Sequence, residues 1–514
     1  MKPQPNLSEA EFIAKANSGE KIISIYASLL SDLSTPVLVY AKLKDFFKDC
    51  FLFESVHGGE KLGRYSFVGA NSLLSYSSYQ NDSKNPYDDL EKILSSYALA
   101  NADTELKFFH KGLVGFFSFE SVKRIETSLD LKTSHLPESF FYLAGDLVVF
   151  DHVEQRLFLI VNNLIDDLSE AVLKLSYEKA LRALEKLLEI IQNSSKLDIL
   201  PASLVSNNIN HSEFKSNTSE EEFKKMVAKA KEHILEGDIF QAVLSQRFYV
   251  EKDLDPLTVY RCLRNLNPSP YLYLMNIDLS KEGRESFSIV GSSPEMLVKS
   301  VYEVGENAEI GVPQQSQIVA REQCSRWAEL RPIAGTYRRG ISNAEDTALA
   351  EKLLADTKEI AEHVMLVDLG RNDLGRVSEN GSIYLAENMV VEKYSHVLHI
   401  VSSVKGKLRK DITNIALLKA CFPAGTLTGA PKVEAIKIIS SLEKEARGPY
   451  GGCLGYIGFD GTLNVAITIR TIIVEKNLAS IQCGAGIVAD SDPDSEYRET
   501  FNKAAALMQV LNSL

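Results

Sequence analysis

The chain has 514 residues, 45% hydrophobic and 24% charged, a composition typical of a large soluble globular protein with room for more than one domain. Its net charge of −13 argues against nucleic acid as the main partner, because phosphate contacts need clustered Lys and Arg. No apolar run reaches membrane length, MKPQPNLSEAEF lacks a secretion signal, and six singly scattered cysteines suit a reducing compartment, so a cytoplasmic protein without membrane contact is expected.

In chain order, FLFESV, RYSFVGA, GLVGFFSFESV and DLVVFDH read as strands joined by turns. From about Leu168 to Ile191, apolar positions including Leu173, Leu181, Leu184 and Leu188 predict a long amphipathic helix. The polar, Ser- and Asn-rich stretch after it reads as a linker. A boundary near Asn207 divides the chain into 1–206 and 207–514. Ser219 and Glu222 have the spacing of a capping box opening the helix EEFKKMVAKAKEHILEG. Beyond it, FSIVGSSPEMLV, GCLGYIGFD, NVAITIRTIIV and ASIQCGAGIV read as strands, mixed with helices without regular βαβ alternation. That favours an α+β architecture with large antiparallel sheets over a doubly wound parallel sheet.

Two acidic pairs stand out. Glu359 and Glu362 lie in DTKEIAEHVMLVDLGRND, and Glu496 and Glu499 in DPDSEYRETFNKAAALMQVL. Both runs predict helices, from Ile360, Val364 and Val367 in the first and Phe501, Ala504, Leu507 and Leu511 in the second. Asp492 before Pro493 is a start signal for the second. Spacing of i,i+3 projects both carboxylates of a pair from one face. Either pair alone reads plainly as a solvated acidic face. Two carboxylates ~5 Å apart repel by roughly 3 kcal/mol at an effective dielectric of about 20. Four converging on one cleft would call for a hard divalent cation, and oxygen-only ligands point to Mg²⁺.

The runs GDIFQAVLSQRF, NPSPYLYL, GSSPEML, RPIAGT, DTKEIAEHVMLVDLGRNDLGR, YSHVLHIVSSVKG, FPAGTLTGAPK, GPYGG, ITIRT and GAGIVADSDPDSEYRET follow one another in order. Together they resemble the chorismate-binding enzymes, most closely the large subunit of anthranilate synthase. The resemblance is dense from about Glu220 to the C-terminus and thinner before it. It implies a four-layer α/β/β/α assembly of antiparallel sheets with the site in a cleft between them, and Mg²⁺ holding the ring carboxylate of chorismate. Carried over to matching positions, Glu362 and Glu499 are the expected metal ligands, supported through water by Glu359 and Glu496. Glu359 also counts among the expected catalytic residues.

The same resemblance distributes the remaining motifs. Arg470 and Tyr450 are expected at the enolpyruvyl end, where a guanidinium matches a carboxylate with two prongs. Gly335, Thr336 and the Gly484-Ala485-Gly486 run are expected as contacts made where a side chain would block close approach. Thr426 and Lys432, in FPAGTLTGAPK before and after Pro431, are assigned to catalysis and substrate binding near a helix start. His399 is placed near the reacting ring, in the step that eliminates pyruvate, whereas His396 reads as a core residue. Glu295 resembles the family's general acid, which protonates the departing C4 hydroxyl; a desolvated cleft would keep it protonated.

Two positions bear on which member of the family this is. Isochorismate and salicylate synthases carry a lysine base where this chain has Gln241, and an amide cannot abstract a proton from water, although it can position ammonia. Aminodeoxychorismate synthases usually carry a covalent lysine where this chain has Ala334. Amination at C2 followed by pyruvate loss is therefore expected, ahead of an aminodeoxychorismate synthase or a non-catalytic regulatory paralogue. Gly451 to Gly455 superficially match a glutamine amidotransferase nucleophile turn, but no histidine follows Cys453. A separate amidotransferase subunit, and so a hetero-oligomer, is expected to supply ammonia. Glu54 and Ser55, with Asn267, Pro268, Ser269, Pro270, Tyr271 and Leu272, resemble the tryptophan pocket of feedback-inhibited members. Leu272 replaces a usual methionine of similar volume, so inhibition is expected to persist. The stretch from Tyr302 to Leu330, with the lone Trp327, departs from the family pattern.

Overall fold

The computed structural model describes residues 3–57, 61–98, 106–193, 197–201, 203–205, 209–304, 324–394 and 397–514. The boundary near Asn207, His396, and residues 305–323 of the departing stretch lie outside the described residues.

Twenty of the described strands join into one hydrogen-bonded sheet that folds over into two facing layers. One layer runs through Arg156–Leu164, Ser139–Asp151, Tyr65–Ser78, Cys50–Glu54, Tyr271–Ile277, Phe287–Ser293, Thr471–Glu475, Leu478–Ile487 and Gln241–Val250, each antiparallel to the next. The other runs through Gly112–Phe117, Cys453–Gly458, Leu463–Ile467, Met296–Val304, Cys324–Leu330 and Val397–Lys407, again antiparallel. Ser139–Asp151 also pairs with Gly112–Phe117 and so links the layers. Strands from either side of residue 207 pair directly in both layers: Phe51 faces Met275 and Phe117 faces Cys453.

Strand periodicity of two explains why so many strands are apolar on both faces. Along Gly112–Phe117, Val114 and Phe116 enter the aromatic core between the layers, while Leu113 and Phe117 enter the helix-covered core outside. Along Tyr271–Ile277, Tyr273, Met275 and Ile277 face inward; Leu272 and Leu274 face the other helical layer. Helices Glu170–Gln192, Pro256–Leu266 and Pro493–Ser513 cover one layer, and Pro86–Ser96, Thr357–Gly375 and Asn414–Cys421 the other. The order is helix, sheet, sheet, helix.

Helix starts follow the expected chemistry. Ser219 and Glu222 form the reciprocal capping box of Glu220–Glu236, and Asp492 accepts from Ser495 N at the head of Pro493–Ser513. Three expectations need correction. FSIVGSSPEMLV is not one strand but divides at Pro294 and Glu295 into Phe287–Ser293 and Met296–Val304, which belong to different layers. Val364 is 40% exposed, and the buried stripe of its helix runs instead through His363, Leu366, Val367, Gly370 and Leu374. NVAITIRTIIV is not one strand. It divides into Leu463–Ile467 and Thr471–Glu475, which belong to different layers, because the chain crosses between layers at residues 468–470. Trp327 lies on the strand Cys324–Leu330, opposite Val301 and Lys407, with its ring edge-on to Tyr384. Among the described residues, no helix is long and apolar enough to cross a membrane, and five cysteines are free thiols.

Candidate active site

The strand Ile333–Arg338 pairs Ala334 with Ile400 and then Thr336 with His399, leaving Gly335 as the extra residue of a bulge. Its φ of 81° is left-handed, and a Cβ there would stand 3.0 Å from Ile400 and 3.4 Å from Glu359 Oε2. The bulge aims the Thr336 N–H at the acidic helix, where it donates to Glu359 Oε2 at 3.0 Å. His399 Nδ1 lies 2.9 Å from Thr336 Oγ1 and 3.3 Å from Gly335 O. A carbonyl only accepts, so Nδ1 carries the hydrogen and Nε2 is the basic nitrogen. Burial pushes the imidazole down to about 4, with Arg470 and Lys503 adding to the effect against the Gly335 carbonyl. The ring is therefore neutral at neutral pH. Tyr394 packs edge-on against it, ring centroids 5.3 Å apart.

Both acidic pairs face this region. Burial raises the Glu359 and Glu496 carboxyls above their ordinary range, and the second glutamate of each pair adds to the rise. Gln241 Nε2 stands 3.5 Å from Glu362 Oε1. Lys503 pairs with Glu499 at 2.7 Å, donates to Gly484 O at 3.0 Å, and receives Arg470 Nη1 on its own carbonyl at 3.2 Å. Sequence reasoning passed over Lys503. Its signal was spacing: it follows Glu499 by four residues and Glu496 by seven, on one helix face.

Among the described residues, no three of these glutamates bring oxygens within 4.8 Å of one another; a largely exposed trio, His233, Glu236 and Asp238, does. The donor set still fits Mg²⁺, which takes one or two carboxylates and keeps water or substrate oxygens at its other positions. Half-buried, mutually repelling carboxylates are also what such a cation would relieve.

Glu295 and Arg470 stand at two neighbouring crossings between the layers. Pro294 and Glu295 join Phe287–Ser293 to Met296–Val304, as residues 468–470 join the other two strands. Ile467 N donates to Glu295 O at 3.0 Å and Ser292 N to Arg470 O at 3.1 Å, lacing the crossings together. Arg470 has a φ of 50°, set by this turn, not by a strand. Burial raises the Glu295 carboxyl to about 8, opposed only by Thr426, whose hydroxyl lies 3.0 Å and 3.2 Å from its two oxygens.

Gly484 and Gly486 face the cleft from the strand paired with Gln241–Val250. A Cβ at Gly486 would stand 2.7 Å from Gln241 Nε2, and one at Gly484 would stand 3.0 Å from the Tyr450 hydroxyl. Ala485, between them, turns its methyl into the core of Phe223, Val227 and Ala435, so only its backbone borders the cleft. Lys432 opens the helix Lys432–Leu442 but directs its ammonium to Asp373, 3.1 Å away. Cys453 is a buried strand residue whose thiol is pushed up to about 12 by burial.

A separate cavity of about 910 Å³ is lined by Glu54, Ser55, Pro270, Tyr271 and Leu272, and reaches Glu392 and Tyr394 behind His399. Asn267, Pro268 and Ser269 are not among its lining residues. Glu54 is buried and anchored by Tyr260 at 2.6 Å and by Arg264 at 2.7 and 3.1 Å.

Comparison with known proteins matches residues 48–306 and 318–509 to the chorismate binding enzyme family. The chain is 39% identical to anthranilate synthase component 1 of Acetivibrio thermocellus, covering 99% of this chain and 98% of that protein. It is 40% identical to the protein of that name from Synechocystis, covering 98% and 99%. Among solved structures, anthranilate synthase component I from Streptococcus pneumoniae superposes with a TM-score of 0.71 at 33% identity, over 93% of this chain and 99% of that one. MenF, the menaquinone-specific isochorismate synthase of Escherichia coli, shares the fold, with a TM-score of 0.70 at 17% identity, over 98% and 99% of the two chains.

Proposed function

The chain belongs to the chorismate-binding enzymes, in the group whose curated members are named anthranilate synthase component 1, and from that membership we propose that it converts chorismate and ammonia to anthranilate, pyruvate and water. The observation that carries the choice of reaction is Gln241, whose amide stands 3.5 Å from Glu362 Oε1 where a hydrating enzyme would need a base. An amide holds ammonia, already a nucleophile, for attack at C2. Ala334, buried and bearing only a methyl, offers no nucleophile for a covalent route to the C4 amine, which disfavours an aminodeoxychorismate synthase. The retained glutamates and histidine disfavour a non-catalytic regulatory paralogue.

In this reading Glu295, kept protonated by burial, gives its proton to the C4 hydroxyl as it leaves as water. Thr426 orients that carboxyl. His399, neutral with Nε2 free, takes the C2 proton as the C3–O bond breaks and the ring becomes aromatic; the enolpyruvyl group leaves as the enolate of pyruvate, which takes up a proton at its methylene carbon to give pyruvate. Arg470 and Tyr450 hold the enolpyruvyl carboxylate, with Lys503 beside them. Glu362 and Glu499 would hold Mg²⁺, supported by Glu359 and Glu496; when bound, the ion supplies positive charge to the ring carboxylate.

The name component 1 supports a partner subunit, here a glutamine amidotransferase delivering ammonia. Tryptophan is the proposed inhibitor, in the cavity that Glu54, Ser55 and Leu272 line. Product identity tests the reading: chromatography after incubation with chorismate, Mg²⁺ and excess ammonium should give anthranilate and pyruvate in equal amounts. A 4-amino product would overturn it.

A further inference from the structure

Arg447 is among the largest fully buried side chains, and its nitrogens are shared among segments that carry the site. Nε and Nη2 donate to the two oxygens of Glu443 at 2.9 and 2.6 Å. Nη1 donates to Leu427 O at 2.6 Å, one residue after Thr426, and Nη2 to Val243 O at 2.7 Å, two residues after Gln241. The guanidinium carbon lies 5.7 Å from the Tyr450 ring centroid and 4.5 Å from that of Phe119. The surroundings are rigid in turn. Glu120 accepts from the Arg447 and Gly448 amides at 2.6 and 3.0 Å, and Glu443 Oε1 accepts from both N and Oγ of Ser245 at 2.8 Å.

A buried ion pair kept only for stability is a poor investment, because its desolvation cost often matches its attraction. This one does more than neutralise charge. One planar, fixed fork of donors meets carbonyls from two different segments and stacks near the aromatic ring of a third. We infer that Arg447, held by Glu443, is a positioning residue for the proposed reaction, fixing the spacing between the Gln241 strand, the Thr426 turn and Tyr450. It touches no substrate. It acts by setting where the Glu295 partner and the Gln241 amide stand across the cleft, and errors of about 1 Å in such placement cost on the order of 10²-fold in rate.

This inference rests on the proposed reaction, and wild-type turnover of chorismate with ammonium to anthranilate is the control that tests that premise separately. Arg447→Lys keeps the charge but cannot reach Glu443, Leu427 and Val243 together. With folding checked by circular dichroism at the assay temperature, kcat should fall on the order of 10- to 100-fold while the KM for chorismate moves less than about threefold. The alkaline limb of the kcat profile should also move to higher pH, because a loosened Thr426 contact stabilises the Glu295 carboxylate less. A folded Arg447→Lys with wild-type kcat and an unmoved limb would overturn the inference. Should that variant not fold, Ser245→Ala, which removes one donor to Glu443, should lower kcat about two- to fivefold and shift the limb the same way. Wild-type behaviour of Ser245→Ala would then overturn the inference.

Discussion

Glu295 and Arg470 stand at adjacent crossings where the chain leaves one sheet layer for the other, tied by Ile467 N to Glu295 O at 3.0 Å and Ser292 N to Arg470 O at 3.1 Å. Crossings interrupt both ladders: Glu295 is buried there against the Thr426 hydroxyl, and Arg470 donates to Lys503 O at 3.2 Å. In the proposed reaction this puts the general acid and the cation for the enolpyruvyl carboxylate on adjacent crossings, tied through the backbone.

The acid gives the first prediction. Burial raises Glu295 from 4.5 to about 8. Catalysis needs the protonated form, so kcat should fall as pH rises through about 8. Glu295→Gln should cost roughly 10²- to 10⁴-fold in kcat and abolish that limb. The linkage has a matching sign: the raised pKa makes the carboxyl's contribution to stability full below about 4.5 and lost as pH rises through about 8. Thermal unfolding of Glu295→Gln should therefore gain on wild type between those limits. An unchanged pH profile in the variant would count against Glu295 as the acid.

For His399 the direction is opposite. Its imidazole, depressed to about 4, is already neutral through the assay range. No acid limb from this group is expected until pH approaches 4. His399→Ala should reduce kcat by roughly 10²-fold or more with little change in chorismate affinity. A variant within about threefold of wild type would remove it from the mechanism.

Glycine at 486 gives a steric prediction. A methyl there would stand 2.7 Å from Gln241 Nε2 and displace the amide. Gly486→Ala should lower turnover with ammonium by about tenfold or more, with the unfolding midpoint close to wild type, since the methyl would enter the cleft and not a core. Full activity would show that the amide's position is unimportant.

Metal dependence follows from the carboxylates. EDTA should abolish turnover, and Glu362→Gln or Glu499→Gln should raise the Mg²⁺ concentration for half-maximal activity at least about tenfold, the effect typical of even outer-shell partners. Activity that survives chelation would contradict the proposed role of both residues.

The cavity behind His399 bears on regulation. Tryptophan should inhibit, and Ser55→Phe, which fills the cavity wall, should abolish inhibition while leaving uninhibited kcat within about twofold. Titrating activity with tryptophan checks both arms; indifference of the wild type to millimolar tryptophan would refute the proposed pocket.

Much of this was legible in the chain. Doubly apolar strands, the Ser219–Glu222 box and the Asp492 cap declare themselves through local spacing and local hydrogen bonds. The ordered motifs led to the family that the comparison then matched over most of the chain. What stayed hidden depends on tertiary geometry. The two-residue strand period carries no mark at residues 468–470 that the chain changes layers, so Arg470 read as a strand position. Val364 looked like core because helical spacing does not say which face is covered. Ala485 and Lys432 sit inside site motifs, yet one points its methyl into a core and the other pairs with Asp373. Lys503 and Tyr394 join the site only through contacts across the fold.

The most direct test is the fluorescence time course of anthranilate with purified protein, chorismate, Mg²⁺ and excess ammonium at mildly alkaline pH. Anthranilate should form steadily, stop forming on addition of EDTA and resume with excess Mg²⁺. A C4-aminated product, or no turnover by folded protein that binds chorismate, would contradict the proposed reaction.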